Sequence, residues 1–524
     1  MPKKTETEIE FLKNLEQRFE EAKEIKDVSD KLTDAGFEPY LVGGCLRDLL
    51  LGQKPKDWDF TTNAKPEQIQ KTFPESVYEN QFGTVAVKTG SEDPAMKIVE
   101  VTTFRKEGKY TDKRHPDEVK FAETVEEDLS RRDFTINAMA YQVTTGVRRT
   151  AGLVDPFGGR RDLENKLIRA VGNPAERFQE DALRLMRAVR LATRLGFEIE
   201  EKTAEAIKAN AGLIEFIAKE RIAQELEKLL MTENAGNGIR KMEKLGLLKY
   251  VIPELCEGVE MDQNMHHIYT VFEHNVHALE YASSKKFPLY LRLASLLHDV
   301  GKPKSRDWEA RPEGTRINQG KRGEWTFYQH QYIGERMVLE ILDRLKFPRK
   351  EIEKIALLVR EHMFSYDPEM GTTRGARRFV NRVGVENVDD LMKLREADRI
   401  GSGVEVAVPY RLRHFKAMIE RAMKDPISAK MLKVKGKDIM DELSIEPGPK
   451  VGAVLAILLE KALDNPEFNE KEKLLKEVQT LGKLSDKKLS EMREQAKKQA
   501  VEAQKRVDEA IMTQYRVESV KKTK

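Results

Sequence analysis

Two aspartates separated by one residue, Asp57 and Asp59, are the first candidates for chemistry in this 524-residue chain. If they lie on a strand, they face the same side, because strand residues two apart share a face. Hard divalent cations such as Mg²⁺ prefer oxygen ligands of this kind and commonly share them with substrate phosphates. Glu100, in the strand-like segment KIVEVTT, is the best candidate for a third carboxylate. The pattern indicates a magnesium site.

A glycine pair, Gly43 and Gly44, precedes the aspartates where the apolar run PYLV gives way to a helical pattern. A backbone without Cβ atoms can approach a phosphate closely, and the free N–H groups at a helix start point toward it. Arg47, one turn into that helix, would add a fork of donors. Most isolated D-x-D and Gly-Gly pairs lie in ordinary turns. The order strand, glycine pair, helix and D-x-D instead predicts a phosphate cradle beside a metal site.

Short strand-like runs surround these residues. Between about 37 and 145, the runs PYLVGG, TVAVKTG, MKIVEVTTF and MAYQV alternate with turns rich in Gly, Pro and Asn. This alternation of short strands and turns is typical of a mixed α/β domain. After DPFGGRRDL the strand signals nearly vanish, and the remaining sequence has the pattern of amphipathic helices. The predicted fold class is therefore α+β, with a small mixed-sheet head domain followed by a long all-helical body.

The composition of the chain limits the class of protein to which it can belong. The chain has a net charge of +3 and is 35% charged and 40% hydrophobic, which excludes neither a nucleic-acid partner nor a small-molecule partner. Its two cysteines, Cys45 and Cys256, argue against a disulfide framework or a cysteine-rich zinc site. The segment MPKKTETEIE has no apolar signal core, and no apolar run approaches the ~20 residues that span a bilayer. We expect a cytoplasmic protein with no membrane partner.

Longer motifs carry a resemblance to a known family. They are LVGGCLRDLLLGQKPKDWDF, RRDFTINAMAY, DPFGGRRDLENKLIR and RFQEDALRLMRAVRLATRLGF, in that order. Together they resemble the head-domain signature of class II tRNA nucleotidyltransferases and bacterial poly(A) polymerases, over about residues 37 to 230. The resemblance implies a nucleotidyltransferase head in which Asp57 and Asp59 hold two metals. It also implies nucleotide-binding residues, namely Gly43, Gly44, Arg47, Arg132, Asp133 and Asn137.

An arginine series follows in the last motif. Arg184, Arg187, Arg190 and Arg194 are spaced by three, three and four residues, which lines them along one helix face. Such a face is as often simply solvated as it is a binding site. In the resembled family, the segment E-D-x-x-R is a protein template that hydrogen-bonds the Watson–Crick edge of the incoming base. The resemblance implies that Asp181 and Arg184 play these parts, with Arg187 also contacting the nucleotide. A carboxylate offers acceptors and a guanidinium offers donors, so the same two side chains can form different sets of hydrogen bonds with C and with A.

The polar, charged segment 104–121, FRKEGKYTDKRHPDEVKF, has the pattern of a mobile surface loop. It resembles the flexible loop that CCA-adding and A-adding enzymes have and that CC-adding enzymes lack. The resemblance therefore argues against an enzyme that adds only CC.

Seven of the nine histidines fall between residues 266 and 362. Imidazoles and carboxylates from successive helices are what a metal site in a helical bundle needs. Their order resembles the HD metal-dependent phosphohydrolase superfamily, over about 265 to 400. The resemblance fills all six ligand positions of a two-metal site, namely His274, His298, Asp299, His330, His362 and Asp398. It implies phosphomonoester or cyclic-phosphodiester hydrolysis and leaves the metal and the substrate unassigned, with Ni²⁺, Mn²⁺, Co²⁺ or Mg²⁺ as the candidate metals. His266, His267 and His277 match no position of the pattern.

The predicted organisation has five parts. They are a helical extension at 1–36, a nucleotidyltransferase head at 37–155, a helical neck and body that binds the base and tRNA at 156–262, an HD domain at 263–400 and a C-terminal helical region at 401–524. The predicted function is addition of the 3′-terminal CCA to tRNA from CTP and ATP, with Mg²⁺ in the head and a second phosphatase or cyclic phosphodiesterase activity.

Two alternatives stay open. An A-adding enzyme or a poly(A) polymerase would use the same head, with a structural HD domain, although the loop at 104–121 disfavours the polymerase. An RNA-binding protein with an inactive head is the alternative from another class, and the intact Asp57, Asp59, Arg132 and Asp181 count against it. The sequence does not determine the oligomeric state.

Overall fold

The computed structural model describes residues 15–78, 83–107, 119–142, 152–263, 268–310, 323–369, 371–424 and 429–517. By its contacts the chain divides into two units. One comprises residues 1–362 and 393–404, and the other comprises residues 363–392 and 405–524. The predicted mixed-sheet head and helical body are confirmed. The five domain boundaries stay predictions.

The described strands, in chain order, are β1 (Pro39–Val42), β2 (Trp58–Thr62), β3 (Ser76–Tyr78), β4 (Thr84–Lys88), β5 (Ile98–Thr103), β6 (Arg105–Glu107), β7 (Val119–Phe121), β8 (Ala140–Gln142), β9 (Gly152–Val154), β10 (Leu167–Ile168), β11 (Glu198–Ile199), β12 (Asp307–Ala310) and β13 (Gly323–Thr326).

The described α-helices up to the end of the neck are α1 (Lys23–Asp34), α2 (Gly43–Leu50), α3 (Pro66–Thr72), α4 (Val125–Ser130), α5 (Gly159–Glu164), α6 (Pro174–Glu180), α7 (Leu183–Leu195), α8 (Glu201–Asn210), α9 (Lys219–Leu230), α10 (Ala235–Lys244), α11 (Leu248–Val251) and α12 (Pro253–Cys256). The later helices are α13 (Val271–Ser284), α14 (Leu289–Leu297), α15 (Lys302–Ser305), α16 (His330–Arg344), α17 (Arg349–Glu361), α18 (Thr373–Val383), α19 (Val385–Gly401), α20 (Tyr410–Met423), α21 (Gly436–Leu443), α22 (Pro449–Asp464), α23 (Lys471–Gly482) and α24 (Asp486–Gln514).

A seven-stranded sheet in the order β3-β4-β5-β2-β1-β8-β9 forms the head. β2 and β5 pair in parallel, whereas the other neighbours in this sheet pair antiparallel. The apolar run PYLV becomes β1, which is buried along its whole length between β2 and β8. Burial alternates along β5, where Val99 and Val101 lie in the core and Glu100 is exposed. Because successive residues of a strand face opposite sides of the sheet, Glu100 lies on the exposed side.

The sheet register brings the predicted head carboxylates together. Asp59 in β2 pairs with Glu100 in β5, and paired residues on adjacent strands lie about 5 Å apart on the same face. β2 begins at Trp58, so Asp57 lies in the bend just before the strand and not on it. β1 ends at Val42 and α2 begins at Gly43, so the predicted strand-to-helix turn at the glycine pair is confirmed.

The flanks of the predicted loop at 104–121 are more ordered than its sequence indicated. β6 and β7 form an antiparallel pair in which Lys106 is opposite Lys120. The central residues of the loop, 108–118, lie outside the described part of the chain.

The helical body contains two small β elements that its sequence pattern did not predict. β10 and β11 form a two-residue parallel pair, and β12 and β13 form an antiparallel hairpin. Trp308 in β12 is directly opposite Trp325 in β13. Strands of two to four residues are too short for an alternating pattern to be recognised.

Helix ends in the first unit carry the predicted histidine cluster. α13 packs on α14, α14 packs on α17, and α16 packs on α17. Buried Leu296, Val338 and Val359 lie in these helices. His330 is the first residue of α16, and the chain leaves α14 and α17 at His298 and His362. The apolar packing of the helices thereby fixes where the imidazoles lie.

The second unit has its own apolar core. Its central members are buried residues of α21, α22 and α23, namely Ile439, Val454, Ile457, Leu458, Leu474 and Val478. The rings of Phe364, Phe379 and Phe415 lie within 5.4 Å of one another. No helix among the described residues of either unit is both long enough and apolar enough to cross a membrane.

Substituting Gly301 tests the close packing that holds His330. A Cβ atom at Gly301 would lie 2.2 Å from the carbonyl oxygen of His330 and 2.6 Å from the backbone nitrogen of Gly334. Gly301→Ala must push α16 away, and we expect the free energy of unfolding to fall by about 1–3 kcal/mol. The measurement is the thermal melting curve, together with the metal content of the purified protein.

Gly452→Ala is the matched control, because a Cβ atom at this exposed position in α22 meets nothing within 4 Å. The control should melt at the same temperature as the wild type or slightly above it, since alanine favours helix over glycine by up to about 1 kcal/mol. Identical melting of the Gly301→Ala protein and the wild type would contradict the packing argument.

Candidate functional site

Three carboxylates meet where β2 and β5 pair in the middle of the head's sheet. Asp59 is half-buried, whereas Asp57 and Glu100 are exposed. Burial, reinforced by the negative charges of Glu100 and Asp57, raises the pKa of Asp59 to about 7, against the opposing charge of Arg132. Carboxylates that repel one another in this way are the oxygen-rich donor set that Mg²⁺ prefers. The residues present therefore fit a divalent cation.

The glycine pair allows the backbone to approach the carboxylates closely. Gly43 has φ +74°, and a Cβ atom there would lie 3.1 Å from Arg132 Nη1 and 3.4 Å from Asp59 Oδ2. The buried Nε of Arg132 has no hydrogen-bond acceptor among the residues that the structure describes. Gly43 and Arg132 thus border a cradle with a spare donor, which fits an anionic phosphate group.

A buried thiol fixes the backbone of Asp59. Cys45, in the first turn of α2, accepts a hydrogen bond from the Asp59 amide at 3.4 Å, and its thiol donates to the Val42 carbonyl at 2.9 Å. Burial raises the pKa of the Cys45 thiol far above its ordinary value, so the sulfur stays protonated and serves only as a hydrogen-bonding and packing group. The helix start and the carboxylate are therefore held as one piece.

Arg47 lies in the interior of the head. Its Nε and Nη2 atoms donate to Asp48 at 2.9 and 2.6 Å, and its Nη1 atom donates to Asn137 Oδ1 at 2.7 Å. Because each guanidinium nitrogen has a protein partner and the side chain is only 3% exposed, Arg47 ties α2 to the segment around Asn137. The assignments of Arg47 and Asn137 to nucleotide binding stay predictions.

Asp133 joins the head to α7. It accepts hydrogen bonds from the Phe134 amide at 2.8 Å, from Asn137 Nδ2 at 3.2 Å and from Arg187 Nε at 2.9 Å. Burial acts to raise the pKa of Asp133, but the positive charges of Arg187 and Arg184 outweigh it and lower the pKa to about 2. Asp133 therefore stays ionised at neutral pH and holds Arg187 in place.

The arginine face of α7 is only partly solvated, because Arg184 and Arg190 are largely buried and Arg194 is exposed. Each of its four arginines pairs with an acid, and two of the acids lie in the head. The pairs are Arg184 with Glu180 at 2.6 Å, Arg187 with Asp133 at 2.7 Å, Arg190 with Glu225 at 2.6 Å and Arg194 with Asp48 at 2.9 Å. The stripe thus binds α7 to its neighbours.

The two proposed template residues also have partners within the protein. Asp181 accepts from the Leu183 amide at 3.1 Å and pairs with Arg221 of α9 at 3.0 Å. Arg184 is buried, and besides Glu180 it donates to the carbonyl oxygens of Arg177 and Arg131, both at 3.1 Å. Their role in reading a base stays a prediction. Arg221 was not identified from the sequence, because it lies 40 residues from Asp181 without a motif that links them.

The structure brings all six predicted residues of the second site together. Their donor atoms form two sets, in which each member lies within 4.8 Å of the others; the sets are His274, His298 and Asp398, and Asp299, His330 and His362. Asp299 connects the two sets. Its Oδ2 lies 3.0 Å from His274 Nε2, and its Oδ1 lies 3.1 Å from His330 Nε2.

The backbone orients three of the imidazoles. His298, His330 and His362 each place Nδ1 within 2.9 Å of the carbonyl oxygen three residues earlier. A proton on Nδ1 leaves Nε2 as a lone-pair donor, and Nε2 is the atom that faces the cluster. The arrangement fits metal binding, since ligating histidines characteristically donate their other nitrogen to a carbonyl or a carboxylate.

Lys302 is a further member of this site that was not predicted. It is buried, and its Nζ lies 2.6 Å from Asp299 Oδ2 and donates to Gln263 Oε1 at 2.5 Å. A usable signal was its position three residues after Asp299, because a turn of that length brings its two ends together; the Lys302 amide donates to the Asp299 carbonyl oxygen at 2.9 Å. Although burial acts to raise the pKa of Asp299, Lys302 and the histidines lower it well below its ordinary value. His277 instead contacts Glu280 and Tyr269, and His266 and His267 lie outside the described residues.

Three family models match consecutive segments of the chain. The poly A polymerase head domain matches residues 39–169, the probable RNA and SrmB-binding site of polymerase A matches residues 196–258, and the HD domain matches residues 265–402. A CCA-adding enzyme of Lactococcus lactis subsp. lactis is 32% identical over 89% of this chain and 99% of its own length. The chain belongs to the tRNA nucleotidyltransferase and poly(A) polymerase family.

Other relatives in this family carry two different names. An A-adding tRNA nucleotidyltransferase of Deinococcus radiodurans is 34% identical over 80% of this chain and 90% of its own length. A solved structure, the CCA-adding enzyme of Bacillus stearothermophilus in complex with CTP, superposes with a TM-score of 0.54 at 27% identity, covering 87% of this chain and 96% of that one. The predicted family and the HD domain are therefore confirmed.

The raised pKa of Asp59 predicts that Mg²⁺ binding to the head depends on pH. Below pH 7 a proton occupies the carboxylate and competes with the cation, whereas above pH 7 the carboxylate is already charged. The apparent Mg²⁺ affinity should fall about tenfold for each pH unit below 7 and level off above it. The measurement is isothermal titration calorimetry in an Asp299→Asn background, so that the second cluster does not contribute.

Asp93→Asn is the control for this measurement. Asp93 is a surface carboxylate whose hydrogen bond from Lys54 lowers its pKa, so its loss should leave the pH profile unchanged. A Mg²⁺ affinity that is constant between about pH 6 and 8 would remove the assigned role of Asp59.

Proposed function

We propose that the head adds the 3′-terminal CCA to tRNA from CTP and ATP. The observation that carries this proposal is the pairing of Asp59 with Glu100 beside the cradle of Gly43 and Arg132. The names of the Lactococcus relative and of the Bacillus structure support CCA as the product. A tRNA 3′ end and the two nucleoside triphosphates are then the partners, and the cytoplasm is where this reaction would be needed.

The head carboxylates define the reaction centre in this proposal. Asp57, Asp59 and Glu100 would hold Mg²⁺, which lowers the pKa of an attacking 3′-hydroxyl and neutralises the charge on a leaving pyrophosphate. Gly43 leaves space for the triphosphate, and the spare Nε donor of Arg132 orients it. Arg47 and Asp133 would not touch the nucleotide themselves. Their hydrogen bonds with Asn137 would hold the segment that follows Arg132 in position.

Base selection in this proposal falls to Asp181 and Arg184. Each already has a charged partner in the protein, Arg221 for Asp181 and Glu180 for Arg184. To pair with a base, both side chains must exchange these partners for the Watson–Crick edge. The ion pairs would therefore hold the two side chains in place before a base binds, and the donors and acceptors that they release would suit either C or A.

We further propose that the HD cluster is a second active site. Its histidines and aspartates would hold two ions of Ni²⁺, Mn²⁺, Co²⁺ or Mg²⁺, which supply a hydroxide nucleophile at neutral pH. Asp299 presents one oxygen to each pair of histidines, and Lys302 contributes a positive charge beside it. This set suits hydrolysis of a phosphomonoester or a cyclic phosphodiester. Restoring a 3′-hydroxyl to a damaged tRNA end would prepare it for nucleotide addition.

A second candidate for the head is addition of the terminal A alone. The Deinococcus relative, which bears that name, favours it at 34% identity over most of this chain. The two candidates share every residue assigned above, so the products of the reaction must distinguish them.

Product sequencing tests the head. The protein is incubated with CTP, ATP and either a tRNA that ends at the discriminator base or a tRNA that already ends in CC. We expect CCA on the first substrate and A on the second. Asp59→Asn should lower both reactions by about 10³-fold or more, because it removes a metal-binding charge, while tRNA binding in a filter assay stays within about twofold. Addition only to the CC-ending tRNA would identify the A-adding alternative.

Hydrolysis assays test the HD cluster. Nucleoside 2′,3′-cyclic phosphates and 3′-phosphates are supplied with each candidate metal in turn. Asp299→Asn should lower the rate by about 10²-fold or more, because it removes the carboxylate that both histidine pairs share, and CTP and ATP incorporation should continue. His277→Gln, a histidine outside the cluster, is the matched control and should hydrolyse normally. A wild type that hydrolyses neither substrate with any of the metals, and that binds none by elemental analysis, would limit the cluster to a structural role.

A further inference from the structure

The hairpin of β12 and β13 carries an aromatic face with a cation on it. The rings of Trp308 and Trp325 lie 4.9 Å apart at 74°. The Arg306 guanidinium lies over the Trp325 ring, 3.7 Å from its centre. Trp308 keeps 49% of its surface exposed. Asp307 and Glu309 alternate with Trp308 along β12, so the pleat puts these acids on the opposite face.

The same segment reaches the HD cluster. The carbonyl oxygen of Phe327, which directly follows β13, lies 2.7 Å from His330 Nδ1. Lys302 lies 5.8 Å from the centre of the Phe327 ring and 2.6 Å from Asp299 Oδ2. Phe327, two residues after Trp325, therefore joins the base of the hairpin to the cluster. We call Arg306, Trp308, Trp325 and Phe327 the hairpin face.

We propose that the hairpin face stacks the terminal bases of a single-stranded RNA whose 3′-phosphate is hydrolysed at the HD cluster. The inference rests on the proposed phosphohydrolase function and specifies its substrate. Every base has a π-face, so aromatic side chains with an arginine bind single strands without regard to sequence. Arg306 is exposed and brings positive charge to the hairpin face, which suits the phosphates of an RNA strand.

The chemical step is hydrolysis of the terminal monoester. A water oxygen forms a bond to phosphorus, and the bond between phosphorus and the ribose 3′ oxygen breaks. That oxygen takes a proton, so the products are an RNA with a 3′-hydroxyl and inorganic phosphate. A small phosphate ester needs no exposed tryptophan for this reaction, whereas an RNA end presents bases next to the phosphate.

The competing explanation is that the tryptophan pair only stabilises the hairpin. Cross-strand aromatic pairs do stabilise two-stranded elements, which are marginal on their own. Such a role requires the contact between the rings, but it does not require the half of Trp308 that is exposed to solvent. The two explanations differ in what a base on the substrate contributes.

The experiment compares two substrates of equal charge on the full-length protein with its metal. One is a trinucleotide 3′-phosphate, and the other is the same chain with abasic riboses. Stacking of one base contributes about 1–3 kcal/mol, so kcat/KM should favour the base-bearing substrate by roughly 5- to 150-fold. Trp308→Ala should lower kcat/KM for the base-bearing substrate to near the abasic value. Trp308→Phe should keep most of the preference, because phenylalanine can stack and can pair with Trp325.

Phe216→Ala is the matched control, because Phe216 is also an exposed aromatic residue, at 67%, and lies outside the hairpin. It should retain the full preference. Equal kcat/KM for the two substrates in the wild type would overturn the proposal. A Trp308→Ala protein that loses activity equally on both substrates would overturn it too, in favour of a role in the hairpin alone.

Fluorescence anisotropy with the labelled trinucleotide separates this inference from the hydrolase proposal. If the wild type hydrolyses neither substrate but binds the base-bearing one, and Trp308→Ala weakens that binding by at least fivefold, the stacking role is supported and the hydrolase is not. If the base-bearing and abasic chains bind equally, the stacking role is overturned whether or not hydrolysis occurs.

Discussion

Charge pairs between α7 and two buried acids of the head are the interaction on which the head site depends. Asp133 would be costly to bury as an ion without Arg187, and Asp48, which already pairs with Arg47 inside the head, is joined to α7 by Arg194. Such pairs seldom increase stability over apolar packing. What they provide is a defined position, because the loop that bears Arg132 and the helix that follows Asp181 can meet in few other ways.

The two sites handle charge in opposite ways. In the head, acids outnumber the cations that face them, and the excess appears as the raised pKa of Asp59. In the HD cluster, burial acts to raise the pKa of two aspartates, but the histidines, with Lys302 beside Asp299 and Arg395 beside Asp398, lower both well below their ordinary values. Burial opposes charge on His274, but its hydrogen bonds with Asp299 and Asp398 raise its pKa to about 9. A cation entering the head relieves repulsion, whereas a cation entering the cluster displaces protons.

Sequence alone was sufficient where a recognisable motif carries the residues. The glycine turn follows from the local pattern, Glu100 was identified as a third carboxylate from its strand-like segment, and the six HD residues follow from the resemblance to the HD superfamily, although they span residues 274 to 398. Partners that are distant in the chain and share no motif were not predictable. Arg47 meets Asn137 across 90 residues, and Asp181 meets Arg221 across 40. In both pairs the sequence around one residue does not specify the other, because the tertiary packing of the elements brings the two together. The β12–β13 hairpin was missed because its strands are too short to show a period.

The thiol of Cys45, which contacts the backbone of Asp59, affects how the head reacts with oxidants. A thiol is attacked by peroxide and by alkylating agents chiefly as the thiolate. Burial raises the pKa of Cys45 far above neutrality and that of Cys256 to about 11, and the chain has no other cysteine. The carboxylate cluster of the head therefore offers no reactive sulfur, although one sulfur lies against β2. Peroxide and alkylating agents therefore find no thiolate beside Asp59, and the hydrogen bonds by which Cys45 holds the backbone of that strand stay in place.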